Sequence, residues 1–202
     1  MRINECIQCS AFPCVDVNHN AYIVPDIEIG PEEVSLVVIS EAAPEDSNDY
    51  YYAEGTPSYQ QSTLQAFNSA GIAVAAFQEL RDMGIYFTTA VKCGKTGYGI
   101  KAASIKECSL ILERELDLFP NVKAFLLMGD VAIKAVNYIA KRTGGGRSIP
   151  AGSTYKIRGG EFYFRGVRAF PSYLQVGPSF GIEKSKQRMI AEDIAAAIEF
   201  LK

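Results

Sequence analysis

Val34–Ser40 reads VSLVVIS. The run is apolar and β-branched with almost no polar alternation, a pattern that fits a strand buried on both faces, as in a parallel sheet. Two similar runs lie downstream, IYFTTAV at Ile85–Val91 and VKAFLLM at Val122–Met128, and a shorter one, Val167–Phe170, leads into Pro171. The stretches between them carry helical spacing. Gln60–Ala70 stops at Gly71, and Phe77–Met83 stops at Gly84. Ile105–Phe119 follows Ser104 as N-cap, with Glu107 in the capping-box position and Pro120 as the stop. A helix from Gly129–Asp130 runs to about Arg142 and breaks at Gly144–Gly146, and Glu183–Lys202 is a terminal helix. Strands alternating with helices predict an α/β fold, a three-layer α/β/α sandwich with a central, mostly parallel four-stranded sheet. Thr154–Ile157 and Glu161–Arg165 predict a hairpin around Gly159–Gly160.

No composition shift or repeat divides the chain, so residues 1–202 are expected to form a single domain. At 48% hydrophobic and 21% charged, it has enough apolar content for one substantial core. Residues 1–33 are irregular, with Pro13, Pro25 and Pro31, and a segment this long without regular structure needs something to tie it down. No apolar run approaches a bilayer span, and the start MRINECIQCS lacks the apolar core of a signal peptide. The expectation is a cytoplasmic protein, monomeric, with no membrane partner.

A formal charge of −3 argues against a globally basic nucleic-acid binder but leaves room for a local basic face. Lys141–Arg168 holds Lys141, Arg142, Arg147, Lys156, Arg158, Arg165 and Arg168 against one acid, Glu161. That window reads either as a solvated surface or as a phosphate-facing edge.

The five cysteines have uneven spacing. Cys6 and Cys9 form a CxxC pair, Cys93 directly follows a strand, and Cys108 lies on the next helix. Cys14 is the fifth. In a reducing compartment such spacing points to metal rather than to disulfides. Two separated pairs of soft thiolates suit structural zinc or an iron–sulphur cluster, and spacing alone leaves both open.

The chain resembles the family-4 iron–sulphur uracil-DNA glycosylases. The resemblance is carried by TTAVKC at Thr88–Cys93, by Cys108 on the following helix, by FPNVKAFLLMGDVAIKAV at Phe119–Val136, and by the CxxC near the N-terminus. The family's first motif corresponds to SEAAP at Ser40–Pro44 and its third to FPSY at Phe170–Tyr173. The motifs occur in the family's order along nearly the whole chain. The resemblance implies a 4Fe-4S cluster on Cys6, Cys9, Cys93 and Cys108, with Cys14 spare. It also implies hydrolysis of the N-glycosidic bond of uracil or another damaged base in DNA.

In that reading Glu41 is the catalytic carboxylate, and Ala42, Tyr59, Thr89 and Phe170 line the base pocket. Lys92, Lys95, Ser172, Tyr173 and Leu174 meet DNA, with Leu174 as the wedge that offsets unstacking. Three positions depart from the family. Phe170 stands where the family has a histidine that donates to the departing base, and phenylalanine has no donor. Losing such a donor typically costs about a hundred- to a thousandfold in rate. Thr89 replaces the asparagine that reads the uracil edge, offering one hydroxyl instead of an amide. Ser58 falls at the stacking phenylalanine, leaving Tyr59 or one of Tyr50, Tyr51 and Tyr52 to stack. His19, the only histidine, lies far off in sequence. A catalytically silent relative that binds nucleic acid or a protein is therefore the competing expectation.

Overall fold

Both faces of the Val34–Ser40 run are covered, as its unbroken apolar pattern requires. The computed structural model describes residues 1–177, 180–181 and 183–202. In chain order its elements are α1 (Ile3–Cys6), β1 (Val17–Asn18), β2 (Leu36–Ala43), α2 (Ser58–Ser69), α3 (Phe77–Asp82), β3 (Ile85–Lys95), α4 (Ala102–Leu116), β4 (Ala124–Met128), α5 (Asp130–Arg142), α6 (Thr154–Ile157), β5 (Phe162–Phe164), β6 (Val167–Ser172) and α7 (Lys184–Phe200). The strands form one sheet in the order β1-β3-β2-β4-β6-β5. β3, β2, β4 and β6 are mutually parallel, with Leu36 opposite both Ile85 and Ala124.

The expected α/β sandwich is present, but its sheet has six strands rather than four. The two additional strands are antiparallel edges too short to leave a periodic pattern. Helices α4 and α5 cover one face, where Val37, Ile39, Tyr86, Leu112, Ala132 and Val136 pack together. Helices α2, α3 and α7 cover the other, over Leu36, Val38, Phe67, Phe87, Ile190 and Ile194. Alternate residues of β2 thus enter different cores, and each fully buried aliphatic side chain contributes roughly 1.5–3 kcal/mol.

The expected hairpin is corrected. Thr154–Ile157 is a helical turn, and β5 pairs instead with β6, Phe164 opposite Val167. The connecting residues Arg165 and Gly166 both have positive φ, 54° and 79°, the backbone of a two-residue turn matched to strand twist.

The cap of α4 also differs from expectation. Ser104 is buried in the first turn rather than preceding it, and the helix is capped from outside by Asp16. The Asp16 carboxylate accepts from the Lys101 amide at 2.6 Å and from the Ser104 hydroxyl. Two further contacts dock the N-terminal segment along β3. The Ile23 amide donates to the Lys92 carbonyl at 2.7 Å, and β1 pairs with Gly94 and Lys95. Among the described residues no helix is long and apolar enough to cross a membrane.

Candidate functional site

In a parallel sheet the working edge lies beyond the carboxyl ends of the strands. Here that edge carries Ser40, Glu41 and Ala42 from β2, Thr89 and Lys95 from β3, and Gly129 at the start of α5. Ser40 and Thr89 are register partners.

The crevice is filled. Tyr51, from the loop after β2, is fully buried, and its hydroxyl meets the Ser40 hydroxyl and accepts from the Gln175 amide at 3.0 Å. Ser40 also donates to Gln175 Oε1 at 3.3 Å. Tyr59 lies against Tyr51 with ring centroids 5.2 Å apart and donates its hydroxyl to the Ala42 carbonyl at 3.0 Å. Tyr52 straddles β3, accepting from the Phe87 amide at 2.9 Å and donating to the Phe87 carbonyl at 3.0 Å. Burial raises the Tyr51 phenol well above its ordinary range, so it is neutral.

The structure therefore brings together Glu41, Ala42, Tyr59 and Thr89 of the expected site. Glu41 is partly exposed and pairs with Lys95 at 3.1 Å. Its carboxylate lies so close to Gly129 that a Cβ there would sit 2.7 Å from Oε1. The Thr89 hydroxyl is buried without a hydrogen-bond partner among the described residues.

Other expected site residues lie elsewhere. Phe170 does not line a base pocket. It points into the α7 layer against Phe200, with ring centroids 5.9 Å apart, and under the Arg168 guanidinium. Lys92 does not face DNA. Its side chain has no exposed surface, and its ammonium bonds Glu115, the Thr88 hydroxyl at 2.6 Å and the Thr89 carbonyl at 2.7 Å. Tyr86 and Thr88 donate to the same Glu115 at 2.7 and 2.8 Å. Ser172 is likewise unavailable to phosphate, because it is buried and donates to Asp193 at 2.6 Å. Tyr173 and Leu174 are half-buried against the α7-side core, and Lys186 sits over the Tyr173 ring. Of the basic window, Arg142 and Arg165 pair with Glu113, Arg158 pairs with Asp193, and Arg168 donates to backbone carbonyls. Lys141, Arg147 and Lys156 are exposed.

Four of the five cysteines, Cys9, Cys14, Cys93 and Cys108, lie where the N-terminal segment meets β3 and α4. Cys93 and Cys108 are buried. The Lys92 amide donates to Cys108 Sγ at 3.2 Å, which ties the strand end to the helix. Cys14 lies against the first turn of α4, its thiol directed at the Ser104 carbonyl 3.9 Å away. The Cys9 amide donates to the Tyr22 hydroxyl at 2.9 Å. Burial pushes the Cys93 thiol up to about 12, and the charges of Cys108, Cys14 and Cys9 push it the same way. Burial likewise raises Cys108 to about 11, against the Lys92 amide and ammonium, which favour the thiolate.

Cys6 is placed differently. It is exposed at the end of α1 and donates to the Arg2 carbonyl of its own helix at 3.4 Å. Among the described residues, no three His, Cys, Asp or Glu side chains approach closely enough to hold a single metal ion. The donor chemistry of the gathered thiols nonetheless fits a thiophilic centre. They come from two distant parts of the chain, and one amide, that of Lys92, already points at a sulphur.

Sequence reasoning missed Tyr51 as the occupant of the crevice, although it stood among the three adjacent tyrosines. It also missed the Lys92–Glu115 pair. No model of a known protein family matches this chain, and no curated protein matches it. The resemblance to glycosylases therefore stands on the motifs alone.

Proposed function

We propose that this protein is a 4Fe-4S-anchored relative of the uracil-DNA glycosylases that binds single-stranded nucleic acid without excising a base. The observation that carries the loss of excision is Tyr51, held by Ser40 and Gln175 in the space a flipped base would need. Phe170 supplies no donor to a departing base, and Lys92 and Ser172 are committed inside the fold. Glu45, Asp46 and Asp49 make the loop after β2 acidic.

Binding to a nucleic acid draws support from a different edge. A cleft of about 330 Å³ is lined by Thr143, Gly145, Arg147, Ser148, Tyr163 and Arg165. Tyr163 is 53% exposed there. Arg147 is exposed beside it, while Arg165 is paired with Glu113 and Asp117 and Arg168 lies over the Tyr163 ring. An exposed cation beside a partly exposed aromatic ring is a combination that stacks bases and tracks phosphates. The cluster would serve structure, holding the irregular N-terminal segment on β3 and α4 through Cys thiolates.

The test is an excision assay with protein in excess over uracil-containing single- and double-stranded DNA, followed by cleavage of abasic sites. Anisotropy titrations with labelled single strands at several salt concentrations run alongside. The reading expects no abasic product and binding that weakens with salt. Product formation, or no binding at low salt, overturns it.

A slow glycosylase is the second reading. The Thr89 hydroxyl, buried without a partner among the described residues, favours it, since a base edge entering the crevice would satisfy that atom, and Glu41 at the carboxyl end of β2 would orient water. It predicts abasic product from the unsubstituted chain and none from Glu41→Gln.

A further inference from the structure

We propose that the four thiolates that hold the metal centre are Cys9, Cys14, Cys93 and Cys108, and that Cys6 is a free surface thiol. This rests on the cluster reading above and changes its ligand set. The CxxC of Cys6 and Cys9 is the pair that a local reading selects, but the fold separates its members.

Three contacts bring Cys14 to the centre. Its thiol lies over the first turn of α4, at the carbonyl of Ser104, one helical turn before Cys108. Two residues on, Asp16 caps that same helix through the Lys101 amide and the Ser104 hydroxyl, so the backbone at Cys14 is held on α4. Beyond it, β1 pairs Val17 with Lys95 and Asn18 with Gly94, placing the segment beside Cys93.

Cys9 reaches the same place through Tyr22. The Cys9 amide donates to the Tyr22 hydroxyl, and the Ile23 amide next to Tyr22 donates to the Lys92 carbonyl beside Cys93. Between the two cysteines the chain must double back. Phe12 makes that turn with φ of 42°, a left-handed conformation that costs a non-glycine residue about 1–2 kcal/mol. Its ring is packed 5.3 Å from His19 and 5.1 Å from Tyr22, which holds the turn closed. A strained turn kept between two cysteines is expected where their positions matter.

Cys6 has none of these ties. It ends α1, which is joined to the Asp26–Glu28 stretch through Arg2, and its thiol is spent on its own helix. Among the described residues the one hydrogen bond of its thiol is that to Arg2.

The experiment compares the unsubstituted chain with Cys6→Ser and Cys14→Ser, each purified without oxygen and assayed for iron, acid-labile sulphide and visible absorption. Cys6→Ser is expected to keep the full iron and sulphide content, and Cys14→Ser to lose most of both. Because Cys14→Ser can also fail to fold, the unsubstituted protein is alkylated with a maleimide and mapped by mass spectrometry, before and after iron is removed with chelator and oxidant. Cys6 is expected to react at once, and Cys14 only after removal. The reverse pattern, or iron lost from Cys6→Ser and kept in Cys14→Ser, overturns the assignment. An unsubstituted chain without iron or sulphide, whose thiols react alike, overturns the cluster reading and the assignment with it.

Discussion

The hydroxyls of Tyr51 and Ser40 meet at the carboxyl end of β2, at the position where an α/β sheet ordinarily receives its ligand. Gln175, arriving after β6, closes the triangle. The contact joins the loop after β2 to the loop after β6 and removes the crevice between them. A site that evolved to admit a base would leave these polar groups for the base. Here they satisfy one another.

Tyr51→Phe is therefore expected to cost about 1–3 kcal/mol, since Ser40 and Gln175 lose a shared partner in a buried place. Tyr51→Ala, which also opens a cavity among Tyr59, Phe77 and Phe87, should cost roughly 3–5 kcal/mol. Urea denaturation followed by far-ultraviolet circular dichroism measures both. An unchanged midpoint for Tyr51→Phe would show that the phenol does not seal the crevice.

Lys92 and Glu115 face each other with no exposed side-chain surface. Removing one charge leaves the other buried and uncompensated, which typically costs about 3–5 kcal/mol. Lys92→Met is expected to lose that much stability. Combining it with Glu115→Leu should be less damaging than the two single losses added together, since no lone charge remains. If the proposed nucleic-acid binding is found, its affinity at constant salt should be unchanged in any variant that folds. A drop in affinity without a drop in stability would return Lys92 to the binding surface.

How far the chain is legible follows from the range of each interaction. The strands at Val34–Ser40 and Ile85–Val91 show in sequence because covering both faces leaves a continuous apolar run. Lys92 closes such a run and so reads as the start of a loop. Its partner Glu115 lies 23 residues on, and no local pattern links the two. Asp16 caps α4 from 85 residues away, so the nearer Ser104 takes the role when only neighbours are compared. The cysteines show the same effect. CxxC is a local motif, while the approach of Cys14 to α4 depends on the Phe12 turn and on β1. In the motif resemblance Phe170 falls at a catalytic position, but β6 extends to Ser172 and carries Phe170 into the α7 layer.

Gly129 has φ of 96° and ψ of 166°, a region essentially restricted to glycine. A Cβ there would also collide with the Glu41 carboxylate. Gly129→Ala is expected to cost about 1–3 kcal/mol from backbone strain alone, and it should displace Glu41 from Lys95. Thermal unfolding measures the first effect. The second predicts that Glu41→Ala, by making room, recovers part of the loss. Equal destabilisation of Gly129→Ala in both backgrounds would show that strain acts alone.

Arg158 supports the same carboxyl end of the sheet by pairing with Asp193, which also accepts from Ser172, the residue whose carbonyl receives the Gly129 amide. Burial raises the Asp193 carboxyl above its ordinary value, and Arg158 and Ser172 hold part of that rise back. Arg158→Ala removes the cation and lets burial raise the carboxyl further. A carboxyl whose folded value lies above its unfolded one favours the folded state at low pH, where it is protonated. That advantage is lost as pH rises through the folded value. The stability lost in Arg158→Ala should therefore be largest at neutral pH, about 2 kcal/mol for a charged hydrogen-bonded pair. It should shrink as pH falls and Asp193 takes up its proton. Urea midpoints of both proteins from neutral pH to about pH 4, near the ordinary aspartate value, test this. A loss that stays constant across that range would show that Arg158 acts through packing, the Met189 carbonyl and Glu192, which it also binds, and not through the charge of Asp193.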